Sequence, residues 1–495
     1  MKGNHNLKEK TVRGLFWSIL DLLSNQGIQF LIQIILARLL LPEHFGLIGL
    51  TIVFIAISNA IIDGGISQAL IREQKVTQTD YSTIFYFNLL MSCAVYAALF
   101  TFAPMISTFF KEPQLILILR LLSLGSIIHS FSIIQKVQLT KNVDFKRQTK
   151  VSIISSVASG IIAVICAFNG FGVWAIVIQT LSMQGIQSIL LWLLNGWRPS
   201  FVFSYSSFKR FFKFGSRLLA ANMISTVYSN IFYLLIGRMY SSSQLGYYTN
   251  AVRLSEMASF SLTVALQRVT YPVFSRMQDN QAVLRSSFKR IIKITTFVNF
   301  PIMAGLAAIA PSLIHLLFGE KWMAMVIYFQ LLCLSGMLYH LHAINLNILQ
   351  VKGRSDLFLQ LSIVKKVIFT FIIIAAVWAN LGMIGLVGAA VLDSYLAFLI
   401  NSYYSGREIS YSTFEQIKDL LLISLNTFIM AVVVYASGDI FPDNHLIKLI
   451  MQICLGCFVY IALSKVTKSR ELMEVWTIVL SFVKRGDKKM KVISK

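Results

Sequence analysis

Charge is scarce in this chain. Only 13% of its 495 residues are Asp, Glu, Lys or Arg, where soluble domains carry about 25%. With 56% hydrophobic residues and a mean hydropathy of +0.70, the chain could not cover a water-facing surface. A soluble multidomain protein is excluded despite the length. Acidic residues are the scarcer sign: 21 against 44 Lys and Arg, a net charge of +23. On a soluble protein that excess would suggest nucleic acid, so its distribution decides its meaning. Cysteine is sparse as well, and Cys93, Cys166, Cys333, Cys454 and Cys457 all lie inside apolar runs. The Cys454/Cys457 pair has CxxC spacing, but MQICLGCFVY offers neither a second pair for zinc nor water for a redox dithiol. No metal site is expected. A small-residue cleavage site is missing after the basic start (Lys2, Lys8, Lys10, Arg13), so the first apolar run reads as an uncleaved membrane helix.

What the chain has in quantity is apolar runs long enough to cross a bilayer. Fourteen are expected, at 14–38, 45–70, 81–108, 115–136, 149–168, 171–195, 212–238, 245–271, 288–314, 322–350, 357–379, 383–404, 416–437 and 445–464. The loops between them are too short to hold a catalytic module. With the N-terminus inside, the inner segments hold 35 basic residues and the outer loops only five, Arg38, Lys111, Arg238, Lys321 and Lys448. That asymmetry is the positive-inside pattern and places both termini in the cytoplasm. It accounts for most of the basic excess without nucleic acid. Two segments read as interfacial. In 469–485, Leu472, Val475, Trp476, Val479, Leu480 and Val483 follow helical spacing between basic flanks; before the seventh span, Phe208, Phe211 and Phe212 share a face.

The chain also repeats itself. ARLLLPEHFGLIGL, from Ala37, faces GRMYSSSQLGYYTN, from Gly237, so that Arg38 matches Arg238 and Gly46 matches Gly246. APMISTFFKEP from Ala103 faces APSLIHLLFGEKW from Ala310, LRLLSLG from Leu119 faces FQLLCLS from Phe329, and NGFGVWA from Asn169 faces GMIGLVG from Gly382. Matches that keep their order at a slowly drifting offset indicate duplication of a six-span unit. An even number of spans gives a parallel repeat, with a pseudo-two-fold axis along the membrane normal and a site between halves. The expected fold is therefore an all-α integral membrane protein of about fourteen helices: an N-lobe at 1–200, a C-lobe at 201–405, a helix pair at 406–465 and a cytoplasmic amphipathic, basic tail at 466–495.

The residues that end the first span (ARLLLPEHFGLIGL), the DGGISQALI segment from Asp63 and the QRVTYPVFSRMQ segment from Gln267 resemble the polysaccharide transporter (Wzx-type flippase) family. That family belongs to the multidrug/oligosaccharidyl-lipid/polysaccharide superfamily, and the likeness is to its colanic-acid and teichuronic-acid branch. The resemblance implies a fold like that of the superfamily's multidrug exporters. It implies movement of undecaprenyl-diphosphate-linked oligosaccharide across the bacterial cytoplasmic membrane by alternating access, for lipopolysaccharide or exopolysaccharide synthesis. The partners implied are that lipid-linked substrate, membrane lipids and polysaccharide polymerase machinery. No enzyme activity and no cofactor is implied beyond a proton or sodium gradient. Two alternatives stand beside it. One is a multidrug or cation exporter of the same superfamily. The other is a polysaccharide polymerase or ligase, for which the chain lacks a DxD motif, a large outer loop and clustered carboxylates.

A cargo with a prenyl tail, a diphosphate and sugars needs lipid, cations and a wet polar lining in turn. Arginine binds phosphate oxygens with a fork of donors, and an arginine inside a membrane should face a cavity or a partner. Arg253 and Arg217 lead, followed by Arg268 and Arg120. Asn25 and Gln29 share a face of the first span, and Asn222 and Ser229 populate the seventh, its repeat partner, so both spans are expected to line the cavity. Asp21, Asp63, Glu256 and Asp393 are the candidates for ion coupling. Asp21 faces Ala221 in the repeat and is a candidate partner for Arg217, whereas Asp63, before Gly64 and Gly65, suits a turn. His129, His340 and His342 are read as hydrogen-bonding groups, not metal ligands.

Overall fold

A computed structural model describes residues 2–442, 444–477 and 480, and shows helices joined by short connections. The chain divides into two compact units, Met1–Thr249 and Asn250–Lys495. The first holds α1 (Lys2–Leu39), α2 (Pro42–Asp63), α3 (Ile66–Arg72), α4 (Gln78–Phe110), α5 (Leu115–Lys141), α6 (Phe145–Phe168), α7 (Val173–Leu194), α8 (Tyr205–Ser229), α9 (Ile231–Met239) and the start of α10 (Ser242–Arg276). The second continues α10 and adds α11 (Gln281–Ala308), α12 (Ala310–Phe318), α13 (Val326–Gly336), α14 (Tyr339–Val351), α15 (Ser355–Trp378), α16 (Gly382–Ile409), α17 (Thr413–Ala436) and α18 (His445–Val466). Among the described residues, thirteen helical segments are long and apolar enough to cross a membrane. Long helix α10 stands where the eighth span was expected and is not one of the thirteen. Four expected spans are broken: the second at Gly64–Gly65, between α2 and α3; the seventh at Asn230, between α8 and α9; the ninth at Ile309; and the tenth at Met337–Leu338.

Burial is the reverse of a soluble fold. Phe168, Leu193, Phe371, Trp378 and Phe458 are exposed, while Asn88, Gln135, Thr149 and Asn401 are buried. Lipid as solvent explains this, because apolar side chains lose nothing by facing it and polar ones must turn inward. Helix association then rests on close packing of small residues. On α6, Ser152, Ser155, Ser156 and Ser159 are all buried, and a methyl on Gly160 would meet Ile32 of α1 at 2.2 Å.

Two glycine contacts fix the first unit. Gly64 and Gly65 adopt φ of 55° and 68°, the left-handed region that glycine enters without penalty, and they end α2 and restart the chain as α3. A β-carbon on Gly65 would also sit 2.9 Å from the Gly215 carbonyl oxygen of α8. The second contact is reciprocal. A β-carbon on Gly46 would lie 1.8 Å from the Ser242 carbonyl oxygen, and one on Gly246 would lie 1.9 Å from that of Pro42. Residues 42 and 46 are the repeat equivalents of 242 and 246, so duplicated segments meet each other in the manner of a two-fold axis.

Helix starts carry their own caps. Thr77 and Asp80 form a capping box at α4, and Asp80 also accepts from Arg210 Nη2 at 2.8 Å. Ser412 and Glu415 do the same at α17, with Glu415 accepting from Arg285. Lys289 pairs with Asp419, Arg290 with Glu474, and Lys293 with Glu471, so the basic face of α11 holds both α17 and residues 470–477. The tail segment expected on the lipid surface is thus partly docked on protein. Leu472 and Val475 pack against the core of the second unit, Trp476 and Leu480 are exposed, and Val479 and Val483 lie outside the described residues. The Phe208–Phe212 segment is likewise no separate interfacial helix. It is the start of α8, where Phe208 lies against Phe87 and Phe211 is buried.

Candidate functional site

Asp21, Asn25 and Gln29 are spaced four apart, so they form one stripe along α1. The stripe faces polar partners on α6 and α7. Asn25 Oδ1 accepts from Ser156 Oγ at 2.7 Å, Gln29 Oε1 accepts from Gln179 Nε2 at 3.4 Å, and Gln29 Nε2 donates to Met183 Sδ at 3.3 Å. Asp21 lies beside Ser152 of α6 and feels the ammonium of Lys136 of α5, while its buried Oδ1 accepts no hydrogen bond. Lys136 Nζ donates to Gln187 Oε1 of α7 at 3.0 Å. Around this pair, His129 Nδ1 and Gln184 Oε1 are also buried without a hydrogen-bond partner. Buried polar atoms in that state are few in native proteins and mark places where water, an ion or a ligand completes the network.

A second polar cluster lies in the other unit and differs in one respect: its hydrogen bonds close. Lys365 Nζ donates to Asn401 Oδ1 at 2.9 Å, and Asn401 Nδ2 donates to His342 Nδ1 at 3.4 Å. That bond leaves the proton on His342 Nε2, which lies 3.1 Å from Ser394 Oγ, and Ser394 in turn donates to the Ser335 carbonyl. Asp393 of α16 acts electrostatically on Lys365. His340 is fully buried between Thr296 Oγ1 and Asn299 Nδ2, each at 3.0 Å. A satisfied chain of this kind holds helices together. The half-satisfied seam of the first unit has hydrogen-bonding capacity to spare.

The remaining sequence candidates are spread out. Arg253 and Glu256 are one turn apart on α10 and exposed, with the Arg253 guanidinium acting electrostatically on the Glu256 carboxylate. Asn222 and Ser229 are exposed on α8. Arg120 is engaged on α4, its Nε donating to the Phe100 carbonyl at 3.2 Å and its guanidinium lying 4.0 Å from the Phe100 ring. Asp63 accepts from Ser67 Oγ at the glycine turn. The side chains of Arg217 and Arg268 lie outside the described residues, so the pairing of Asp21 with Arg217 is not described either.

Sequence reading missed both intramembrane lysines. It counted Lys136 and Lys365 only in the inner-side charge tally, although both fall within the expected spans 115–136 and 357–379, and the structure places them inside α5 and α15. It missed Gln184 and Gln187 too, although a signal was present: α7 carries glutamines at 179, 184 and 187 within an apolar helix.

Comparison with known proteins adds the family. A family model described as polysaccharide biosynthesis protein matches residues 35–327. The teichuronic acid biosynthesis protein TuaB of Bacillus subtilis (strain 168) is 26% identical over 411 residues, covering 82% of this chain and 85% of that protein. The lipopolysaccharide biosynthesis protein WzxC of Escherichia coli (strain K12) is 25% identical over 432 residues, covering 86% and 85%. Among solved structures, the lipid II flippase MurJ in an inward closed conformation superposes with a TM-score of 0.75 at 16% identity, over 93% of this chain and all of that one. An inward-facing multidrug resistance MATE transporter of the MOP superfamily gives 0.63 at 17% identity, over 78% and 94%. The likeness at that identity is one of fold.

Proposed function

The chain belongs to the polysaccharide biosynthesis protein family, and from that premise we propose that it flips undecaprenyl-diphosphate-linked oligosaccharide units across the bacterial inner membrane by alternating access. One observation carries the reading. Among the described residues, the longest stretch between helices is 195–204, too short to hold a module that builds or cuts a sugar chain. The names of TuaB and WzxC, and that of the lipid II flippase MurJ, support a lipid-linked sugar as cargo. Export of drug cations is not favoured, since those relatives are named for polysaccharide synthesis and the exposed α10 site carries an arginine.

Each part of the cargo has a counterpart. The half-satisfied seam of Asp21, Lys136, His129 and Gln184 offers donors and acceptors to sugar hydroxyls. Arg253 presents a guanidinium to the diphosphate, with Arg217 and Arg268 as further candidates and Asn222 and Ser229 as polar lining. The prenyl tail stays in lipid. Asp21, Glu256 and Asp393 are the carboxylates that would couple transport to a proton or sodium gradient. The internal repeat of 37–50 at 237–250 supports an N-lobe at 1–200 and a C-lobe at 201–405, with 406–465 as an added pair. The 35-to-five split of basic residues supports cytoplasmic termini, and a polymerase on the outer face would receive the flipped unit.

The test is surface polysaccharide in cells that depend on this chain. Arg253→Ala is expected to abolish the polymer while the protein stays in the membrane at normal level. Normal polymer from Arg253→Ala and Arg217→Ala together would remove the diphosphate assignment.

A further inference from the structure

A cavity of about 320 Å³ opens where α3 meets α8, walled by Ala69, Arg72, Glu73, Gln74, Arg210 and Phe214. It sits on the basic segments 71–80 and 196–213, away from the polar seam of α1. Both guanidiniums are backed by rings of α8: Arg72 lies 4.9 Å from the Phe214 ring and Arg210 lies 4.6 Å from that of Phe211. Ring backing fixes the plane of a guanidinium and leaves its N–H edge to face outward. Arg210 gives Nη2 to Asp80, whereas Arg72 forms no ion pair among the described residues. Lys141 Nζ donates to the Glu73 carbonyl at 2.6 Å, pinning the end of α3 to α5 and adding a third positive charge beside the cavity.

We infer that this cavity is a receiving site for a phosphate ester that carries neighbouring hydroxyls. The phosphate oxygens take the N–H edges of Arg72 and Arg210. Glu73 and Gln74 accept from hydroxyls, and Glu73 repels an anion that has none. A volume near the lower end of small-molecule sites, ~300–1,000 Å³, suits a headgroup and leaves a lipid chain outside. Two sources carry this chemistry: the glycosyl diphosphate of the proposed cargo and the glycerol phosphate of an anionic phospholipid. The first source rests on the flippase reading; the second does not.

The experiment uses the full chain in phosphatidylcholine nanodiscs, with and without added phosphatidylglycerol. Farnesyl-diphosphate-linked N-acetylglucosamine is titrated in, and retained phosphatidylglycerol is read by native mass spectrometry. Arg72 is exposed, so Arg72→Gln should leave thermal unfolding unchanged. It is expected to weaken one ligand by about tenfold or more, the loss of a charge-assisted pair, with Arg72→Lys intermediate because lysine lacks the fork. A loss confined to the glycolipid assigns the site to cargo, and one confined to phosphatidylglycerol assigns it to the bilayer. Equal binding of both ligands by wild type and Arg72→Gln overturns the site. Flipping by the wild-type chain, measured separately, tells that failure from a failure of the flippase reading.

Discussion

Substituting alanine at Gly46 tests whether the repeat-related contact between α2 and the start of α10 is a working joint. The added β-carbon would stand 1.8 Å from the Ser242 carbonyl oxygen, and ordinary contact begins at 3.4 Å. The obstacle is backbone, not the end of a flexible side chain, so the helices must separate. Overpacking of this kind costs about 1–3 kcal/mol, which moves a two-state equilibrium by roughly 5- to 150-fold. In proteoliposomes, spin labels on the exposed faces of α2 and α10 are expected to report a wider separation in Gly46→Ala, and the flipping rate is expected to fall by a similar factor. Gly246→Ala should behave alike, since it meets Pro42 at 1.9 Å. Gly185→Ala is the control: nothing lies within 4 Å of its β-carbon, and replacing a helical glycine there should be neutral or gain up to ~1 kcal/mol. An unchanged label distance and flipping rate in Gly46→Ala would refute the reasoning.

Other expectations follow from the two polar clusters. Lys136→Gln removes the donor to Gln187 and the charge opposite Asp21; a loss of about 1–3 kcal/mol is expected in thermal unfolding, partly recovered in Asp21→Asn/Lys136→Gln. A double-mutant cycle with no coupling would show the two groups to be independent. His340→Leu strips Thr296 of its partner, while Asn299 keeps the Gly336 and Met337 carbonyls, and should destabilise by about 1–3 kcal/mol. Its effect should fall on stability, with flipping per folded molecule unchanged; a selective loss of flipping would make His340 a cargo residue.

How much was legible in the sequence depends on the length scale of the signal. Long apolar runs and loop charge set the helix order, because a bilayer demands about twenty apolar residues whatever the tertiary packing. Short-range breaks were less visible: Asn230 and Met337–Leu338 interrupt runs that hydropathy reads as continuous. The α1 stripe was legible in part, since Asn25 and Gln29 stand out in an apolar helix. Lys136 was not, because a basic residue near a helix end counts toward the loop in a charge tally, and only packing against α7 reveals that its ammonium turns inward to Gln187. The phenylalanines at 208, 211 and 212 have the spacing of a lipid-facing surface, and the sequence alone cannot distinguish that from a seat on α4.

The most direct measurement is transbilayer movement itself. The purified chain is reconstituted with a fluorescent undecaprenyl-diphosphate-linked oligosaccharide, and the outward-facing fraction is bleached over time with and without a proton or sodium gradient. Bleaching beyond the outer-leaflet fraction is expected, faster with the coupling gradient, reduced in Arg253→Ala, and absent for an undecaprenyl monophosphate without sugar. Bleaching that stops at the outer leaflet under every gradient would contradict the flippase assignment.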